Sequence, residues 1–326
     1  MADSVDYGPV TYQAFASAST GALVYKEPDP GWHLTWFDRT GRRLGAAVAA
    51  AGQYNGLCMS RGGARLVYDL VDPDRASTNL DLWSLDVATG VTTRLTFDPS
   101  ADFYPVCSPT GDDIVFGSLR FGSPNLFRQV VTAPGSEVEL LRTPRAKVPT
   151  DWSRDGRFII FSAFDPATSW DIWLLPLSGG QPFAFAATPA EERNAKMSPD
   201  GRYIAYTFVQ GEKLEVYVQP YPASGAKWQV SRDGGEHPAW SADGKTLFYA
   251  SGDKKIMAVD VTTGASGFSI GRSRVAVDTR IEGRERTNQG TPFAVTPDGE
   301  RFVVSTAADT VVPITVVLNW QALVEK

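Results

Sequence analysis

Gly267-Phe268-Ser269-Ile270-Gly271 has the G-x-S-x-G spacing in which a sharp strand-to-helix turn presents a serine hydroxyl for acyl transfer. That chemistry also needs a helix after the serine and a downstream histidine to take its proton. Arg272-Ser273-Arg274-Val275-Ala276-Val277 follows instead, an extended-chain pattern, and both histidines, His33 and His237, lie upstream. The string is therefore a glycine-flanked outer strand. The two histidines occupy different slots of distant segments, so neither a shared metal nor a triad is expected. Asp69, Asp72, Asp74 and Asp81 gather around Pro73 without the alternating spacing of a calcium loop, and read as a solvated turn. The G-x-G-x-x-G, His-Arg-Asp and Asp-Phe-Gly motifs of a protein kinase do not occur.

Asp155, Asp200, Asp243 and Asp298 resemble a carboxylate set until their neighbours are compared. Each sits in the same string, Ser153-Arg154-Asp155-Gly156, Ser198-Pro199-Asp200-Gly201, Ser241-Ala242-Asp243-Gly244 and Thr296-Pro297-Asp298-Gly299. Aspartate bonding local amides and glycine accepting positive φ make a tight turn, so the acids serve a repeat and not a reaction. Weaker copies are Ser108-Pro109-Thr110-Gly111 and Ser60-Arg61-Gly62-Gly63, and the faintest runs from Ser17 to Gly21. The marker glycines 21, 63, 111, 156, 201, 244 and 299 step by 42, 48, 45, 45, 43 and 55 residues. Apolar strands follow each turn, among them Ile172-Trp173-Leu174-Leu175 and Val216-Tyr217-Val218. A period near 45 with four strands per unit is that of a β-propeller. The expected fold is all-β, a single domain over 1–326 with seven four-stranded antiparallel blades. Residues from Val5 to Thr11 are expected to complete the last blade, which otherwise ends after Ile314-Thr315-Val316-Val317-Leu318. Six blades are the alternative, should the weak first unit pack elsewhere.

A net charge of −6 and a pI near 5.1 argue against a nucleic-acid partner. Cys58 and Cys107 are too few for a disulfide framework, lack C-x-x-C spacing and leave the compartment open. No run of about 18 apolar residues spans a membrane. The acidic start Met-Ala-Asp-Ser-Val-Asp is unlike a signal peptide, which suits a cytoplasmic protein or a longer chain with an export or membrane segment elsewhere.

The Ser198-Pro199-Asp200-Gly201-Arg202 unit, with the later Ile-Trp-Leu-Leu strand, resembles TolB-like and WD-repeat-like bacterial propellers. Leu95-Thr96-Phe97-Asp98-Pro99, Lys227-Trp228-Gln229-Val230-Ser231 and Pro313-Ile314-Thr315-Val316-Val317-Leu318-Asn319-Trp320 are similar to the C-terminal propeller of bacterial serine/threonine protein kinases. That resemblance covers almost the entire chain. It implies a sensor placed after a kinase domain and a membrane segment, outside the cytoplasm.

Function on such a scaffold belongs to the non-repeating residues. The leading residues of each inner strand surround one mouth of the central channel. They include Asp102, Tyr104, Lys147, Arg193 and Asn194, then Glu236 and His237, and more loosely Arg286 and Asn288. This mixed polar ring suits a protein segment, a peptide or a small polar ligand. The expected function is non-enzymatic binding or sensing by a monomer that needs no cofactor. Two alternatives stand: a propeller lyase or hydrolase using channel carboxylates and His237 with a divalent cation, and a structural propeller docking through an apolar outer rim.

Overall fold

Ser198 Oγ donates to Asp200 Oδ1 at 2.6 Å and accepts the Tyr203 amide at 2.9 Å, while Gly201, at φ +71°, donates to the Ser198 carbonyl at 2.9 Å. The hydroxyl thereby holds the turn and the first amide of the next strand together. The turns at Ser153, Ser241 and Thr296 repeat this pattern, with Gly156, Gly244 and Gly299 at φ +76°, +71° and +72°. Ser108 and Ser60 keep the bond to the next strand although Thr110 and Gly62 replace the aspartate. Six turns thus share one local cause.

The computed structural model describes residues 15–17, 22–26, 32–49, 52–71, 79–264, 267–278, 290–307 and 314–318. The chain divides into two units, one from His33 to Thr306 and the other formed by its two ends. The larger unit carries six four-stranded antiparallel sheets. The inner and second strands of blade one are Leu57–Met59 and Arg65–Val71; those of blade two are Asp102–Cys107 and Asp113–Ser118. Blade three begins with Lys147–Trp152 and Phe158–Asp165, blade four with Glu191–Met197 and Tyr203–Gln210, blade five with Gly235–Trp240 and Thr246–Ser251. Blade six joins Phe293–Val295 and Arg301–Ala307 to Trp32–Asp38 and Arg43–Ala46. The Leu57 amide donates to the Thr291 carbonyl at 3.2 Å, linking the start of blade one to blade six.

The expected count of seven blades is corrected to six. Ala22–Lys26, which carries the strand of the faint first repeat, pairs with Phe15–Ser17 and with Ile314–Leu318 in a separate three-stranded sheet of the smaller unit. Neither flanking segment therefore enters a blade. Closure of blade six comes from Trp32–Asp38; the segment Val5 to Thr11 lies outside the described residues. Among the described residues, no helix is long and apolar enough to cross a membrane.

Each blade is buried on both faces because successive strand residues point to opposite sides. Ile159 and Phe161 pack with Val106, Val115 and Leu126 of blade two, whereas Ile160 packs with Met197, Ile204 and Tyr206 of blade four. The clusters joining blades four to five and five to six are built the same way. Cys58 and Cys107 form a disulfide, with Cα atoms 5.7 Å apart, that ties the inner strands of blades one and two.

Asp69 and Asp81, expected in a solvated turn, are fully buried strand residues; Asp72 and Asp74 lie outside the described residues. Asp81 meets Arg94 at 2.6 Å. Asp69 accepts three backbone amides: Asn55 at 2.6 Å, Gly56 at 2.9 Å and, across to blade two, Tyr104 at 3.0 Å. Burial outweighs these three donors and lifts its carboxyl from 3.8 to about 6.

Two outcomes follow from this bonding. Reducing the Cys58–Cys107 disulfide, which closes a loop of 49 residues, should lower the urea midpoint, by about 4 kcal/mol in the loop-closure treatment; an unchanged midpoint would show that blade contacts alone hold the pair. Asp69 binds its proton more tightly folded than unfolded, so the stability it lends at low pH is lost as pH rises from about 4 to about 6. Asp69→Asn should therefore gain on the wild type by up to roughly 3 kcal/mol across that window, apart from a pH-independent offset, in urea titrations at successive pH values.

Candidate functional site

The inner strands do not run straight. Tyr104 and His237 hold the third position and Asn194 the fourth of three of them, at φ +55°, +53° and +55°, and the ladder to the second strand slips at each. A left-handed non-glycine residue carries strain of about 1–3 kcal/mol, so something must hold it. In two cases it is a bond to the preceding blade: the Tyr104 amide donates to Asp69 Oδ2, and the His237 amide donates to Thr207 Oγ1 at 3.2 Å. The bulge gives up a bond within its blade for one between blades.

Most of the described residues of the polar ring expected at the leading mouth are buried, and Asp102 and Lys147 are engaged by neighbouring protein groups. Asp102 is fully buried and pairs with Arg120 at 3.0 Å; Arg120 also meets Asp98 and Glu137. Burial lifts the Asp102 carboxyl to about 6 against the pull of Arg120. Lys147 is buried, and Nζ donates to Asn125 Oδ1 at 2.8 Å and to the carbonyls of Arg145 and Thr143 at 2.6 and 3.3 Å. Tyr104 lies over two glycines. A Cβ at Gly56 would meet its Cα at 2.9 Å, and one at Gly290 would meet its ring at 2.7 Å and the Asn55 carbonyl oxygen at 1.9 Å. Asn194 is buried at its bulge.

Only Arg193, Glu236 and His237 are brought together. Glu236 Oε2 lies 3.8 Å from Arg193 Nη2 and 3.5 Å from His237 Nε2, and Arg193 also meets Glu191 at 3.0 Å. Burial drives the imidazole down to about 4, so His237 is neutral at pH 7. Arg286 and Asn288 lie outside the described residues. Among the described residues, no group of three or more His, Cys, Asp and Glu side chains could hold a metal ion. One imidazole and one carboxylate beside a guanidinium do not suit a divalent cation.

At the other end the inner strands run into the Ser-x-Asp-Gly turns. A cavity of about 240 Å³ there is lined by residues of all six blades. Its charged groups are Arg61, Asp151, Arg154 and Lys196, and its walls include Trp152 and Trp240. Lys196 Nζ donates to the Thr150 carbonyl of blade three, Asp151 Oδ2 accepts the Met197 amide of blade four at 2.8 Å, and Trp240 Nε1 donates to the Lys196 carbonyl at 3.0 Å. Burial raises the Asp151 carboxyl and lowers the Lys196 ammonium, each opposed by the other's charge. Sequence reasoning missed these four. The signal was the variable residue of the turn, which reads Arg61, Pro109, Arg154, Pro199, Ala242 and Pro297 around the ring.

No family model matches the chain. Tricorn protease homolog 1 of Streptomyces coelicolor is 32% identical over 96 residues, a stretch that covers 28% of this chain and 8% of that protein's length. The putative TolB from Agrobacterium tumefaciens superposes with a TM-score of 0.68 at 16% identity, over 86% of this chain and 100% of that one. TolB from Acinetobacter baumannii gives 0.55 at 14% identity, over 86% and 65%. An oligogalacturonate lyase in complex with manganese gives 0.55 at 16% identity, over 90% and 96%. At these identities the likeness to solved structures carries the fold alone. The fold is that of a TolB-like propeller of four-stranded antiparallel blades.

Proposed function

We propose that this propeller is a non-enzymatic binding or sensing module that takes a protein segment or a small polar ligand into the mouth of its central channel. The observation that carries this reading is the cavity where the turns converge, which residues of all six blades line and to which five of them contribute polar, charged or indole side chains. Asp102 and Lys147 of the expected ring are engaged by protein groups, which favours the turn end of the same channel as the ligand site. The outer rim offers less to a partner: its exposed Phe97 and Phe121 lie under the guanidinium groups of Arg94 and Arg142, at 4.9 and 4.4 Å. The disulfide fits a protein that works in an oxidising compartment, in keeping with an extracytoplasmic sensor linked to a kinase or to the cell envelope.

Ala242 is exposed at the rim of the cavity, so Ala242→Trp fills the mouth without disturbing a core. Thermal denaturation should be measured for both proteins against panels of sugars, amino acids, organic acids, nucleotides and short peptides. The expected result is a ligand that raises the wild-type midpoint and leaves Ala242→Trp unmoved. Equal shifts in both proteins, or chemical turnover of a panel member by the wild type, would refute the reading.

A further inference from the structure

The variable residues of the six turns alternate around the channel. Blades two, four and six place prolines there; blades one, three and five place Arg61, Arg154 and Ala242. The two arginines reach across the opening and not along the rim. Arg61 Nη1 approaches the Arg154 carbonyl at 3.5 Å, from blade one to blade three, and Arg154 Nη1 donates to the Ala242 carbonyl at 2.6 Å, from blade three to blade five. One N–H of each guanidinium thus points it over the cavity. A guanidinium has five, and among the described residues no other acceptor engages these two. Ala242 stands where a third long side chain would complete a triangle, and leaves that side of the entrance open.

The charges here are not balanced. Arg61, Arg154 and Lys196 face the single carboxylate of Asp151, and among the described residues none of the three cations has a carboxylate within ion-pair distance. Burial and the charge of Arg154 hold the Arg61 guanidinium below its ordinary value, against the opposing pull of Asp151 and Asp155. Among the residues that line the cavity, a surplus of two positive charges stands against a chain whose net charge is −6. The surplus does not depend on where the proton between Lys196 and Asp151 resides: an ammonium with a carboxylate and an amine with a carboxylic acid sum alike.

We infer that the turn-end mouth of the channel binds a dianionic oxyanion group, a phosphate monoester or a dicarboxylate, gripped by the Arg61 and Arg154 guanidinium forks with Lys196 beneath. Planar guanidinium groups match both kinds of oxygen pair. About 240 Å³ admits a molecule of a few carbon atoms, with Trp152 and Trp240 as walls for its apolar part. This deepens the binding reading and rests on it.

The test is titration calorimetry at low ionic strength with succinate and with glycerol phosphate, which separates the two sources, and with acetate as the monoanion. One of the two dianions should bind saturably, at least about 10-fold more tightly than acetate, and weaken as salt is added. Arg61→Gln/Arg154→Gln, which changes side chains at the mouth, should lose at least about 10-fold in affinity while keeping the wild-type melting temperature. Lys213→Gln/Arg272→Gln, the same charge change at exposed positions outside this cavity, should bind as the wild type does. The inference fails if neither dianion saturates the wild type by about 10 mM, if acetate binds equally well, or if the two double variants lose affinity alike. A neutral or cationic ligand that stabilises the wild type and not Ala242→Trp would overturn the dianion site while leaving the binding module standing; with no channel-dependent ligand of any kind, both fall.

Discussion

No blade of this molecule has a core of its own. A four-stranded sheet with apolar side chains on both faces is stable only when both faces are covered, and here each face is covered by the next copy of the same sheet. The division is residue by residue: Ile159 and Phe161 belong to the joint with blade two, and Ile160 between them to the joint with blade four. A sheet at the end of a row would leave one such face in water. The last blade must therefore meet the first, and the Leu57–Thr291 bond marks where it does. The apolar joints are reinforced by polar ones. Asp69 with the Tyr104 amide, Thr207 with the His237 amide, and Asp151 with the Met197 amide each tie one blade to its successor.

These joints explain why so many ionisable groups near the axis are unavailable to a ligand. Lys147 spends all three of its donors on protein oxygens, and Asp102 is held by Arg120. At the leading end the channel is narrowed further by Tyr104, whose fit depends on two glycines. Where the turns converge, Arg61, Arg154 and Lys196 stand with no carboxylate within ion-pair distance among the described residues, and the two arginines keep guanidinium donors to spare. The two ends of one channel thus differ in kind: among the described residues, Asp102 and Lys147 at one are committed to structural bonding, and the other keeps its charge and its space.

The repeat was legible because its cause is local. Serine, aspartate and glycine within four residues are enough to specify the turn and to align the strand that follows. The blade count was not, since Leu23-Val24-Tyr25 has the pattern of a strand but pattern does not name a partner; it pairs with residues near the other end of the chain. The burial of the polar ring was hidden for a related reason. Asp102 and Lys147 look exposed in sequence, and the residues that bury them, Arg120 and Asn125, lie 18 and 22 positions away. The alternation of proline with arginine or alanine in the turns was visible throughout, but its meaning requires knowing that alternate blades face one another across the axis. Cys58 and Cys107 sit at nearly equivalent repeat positions, two before the turn serine Ser60 and one before the turn serine Ser108, which places them on neighbouring inner strands.

Blade six is assembled from strands that lie far apart along the chain. Thr35 and Thr306, 271 residues apart, hydrogen-bond within it at 3.1 Å. On a ribosome adding about 5–20 residues per second, Trp32–Asp38 must wait roughly 15–55 s for its neighbour Arg301–Ala307 to emerge. Through that interval its edge is open to any other extended chain nearby, and the ring behind it is an incomplete arc. Nascent molecules on one message are therefore open to pairing with each other until the second strand emerges, and a protein that delays the emergence of its own clasp depends on whatever shields that strand in the cell.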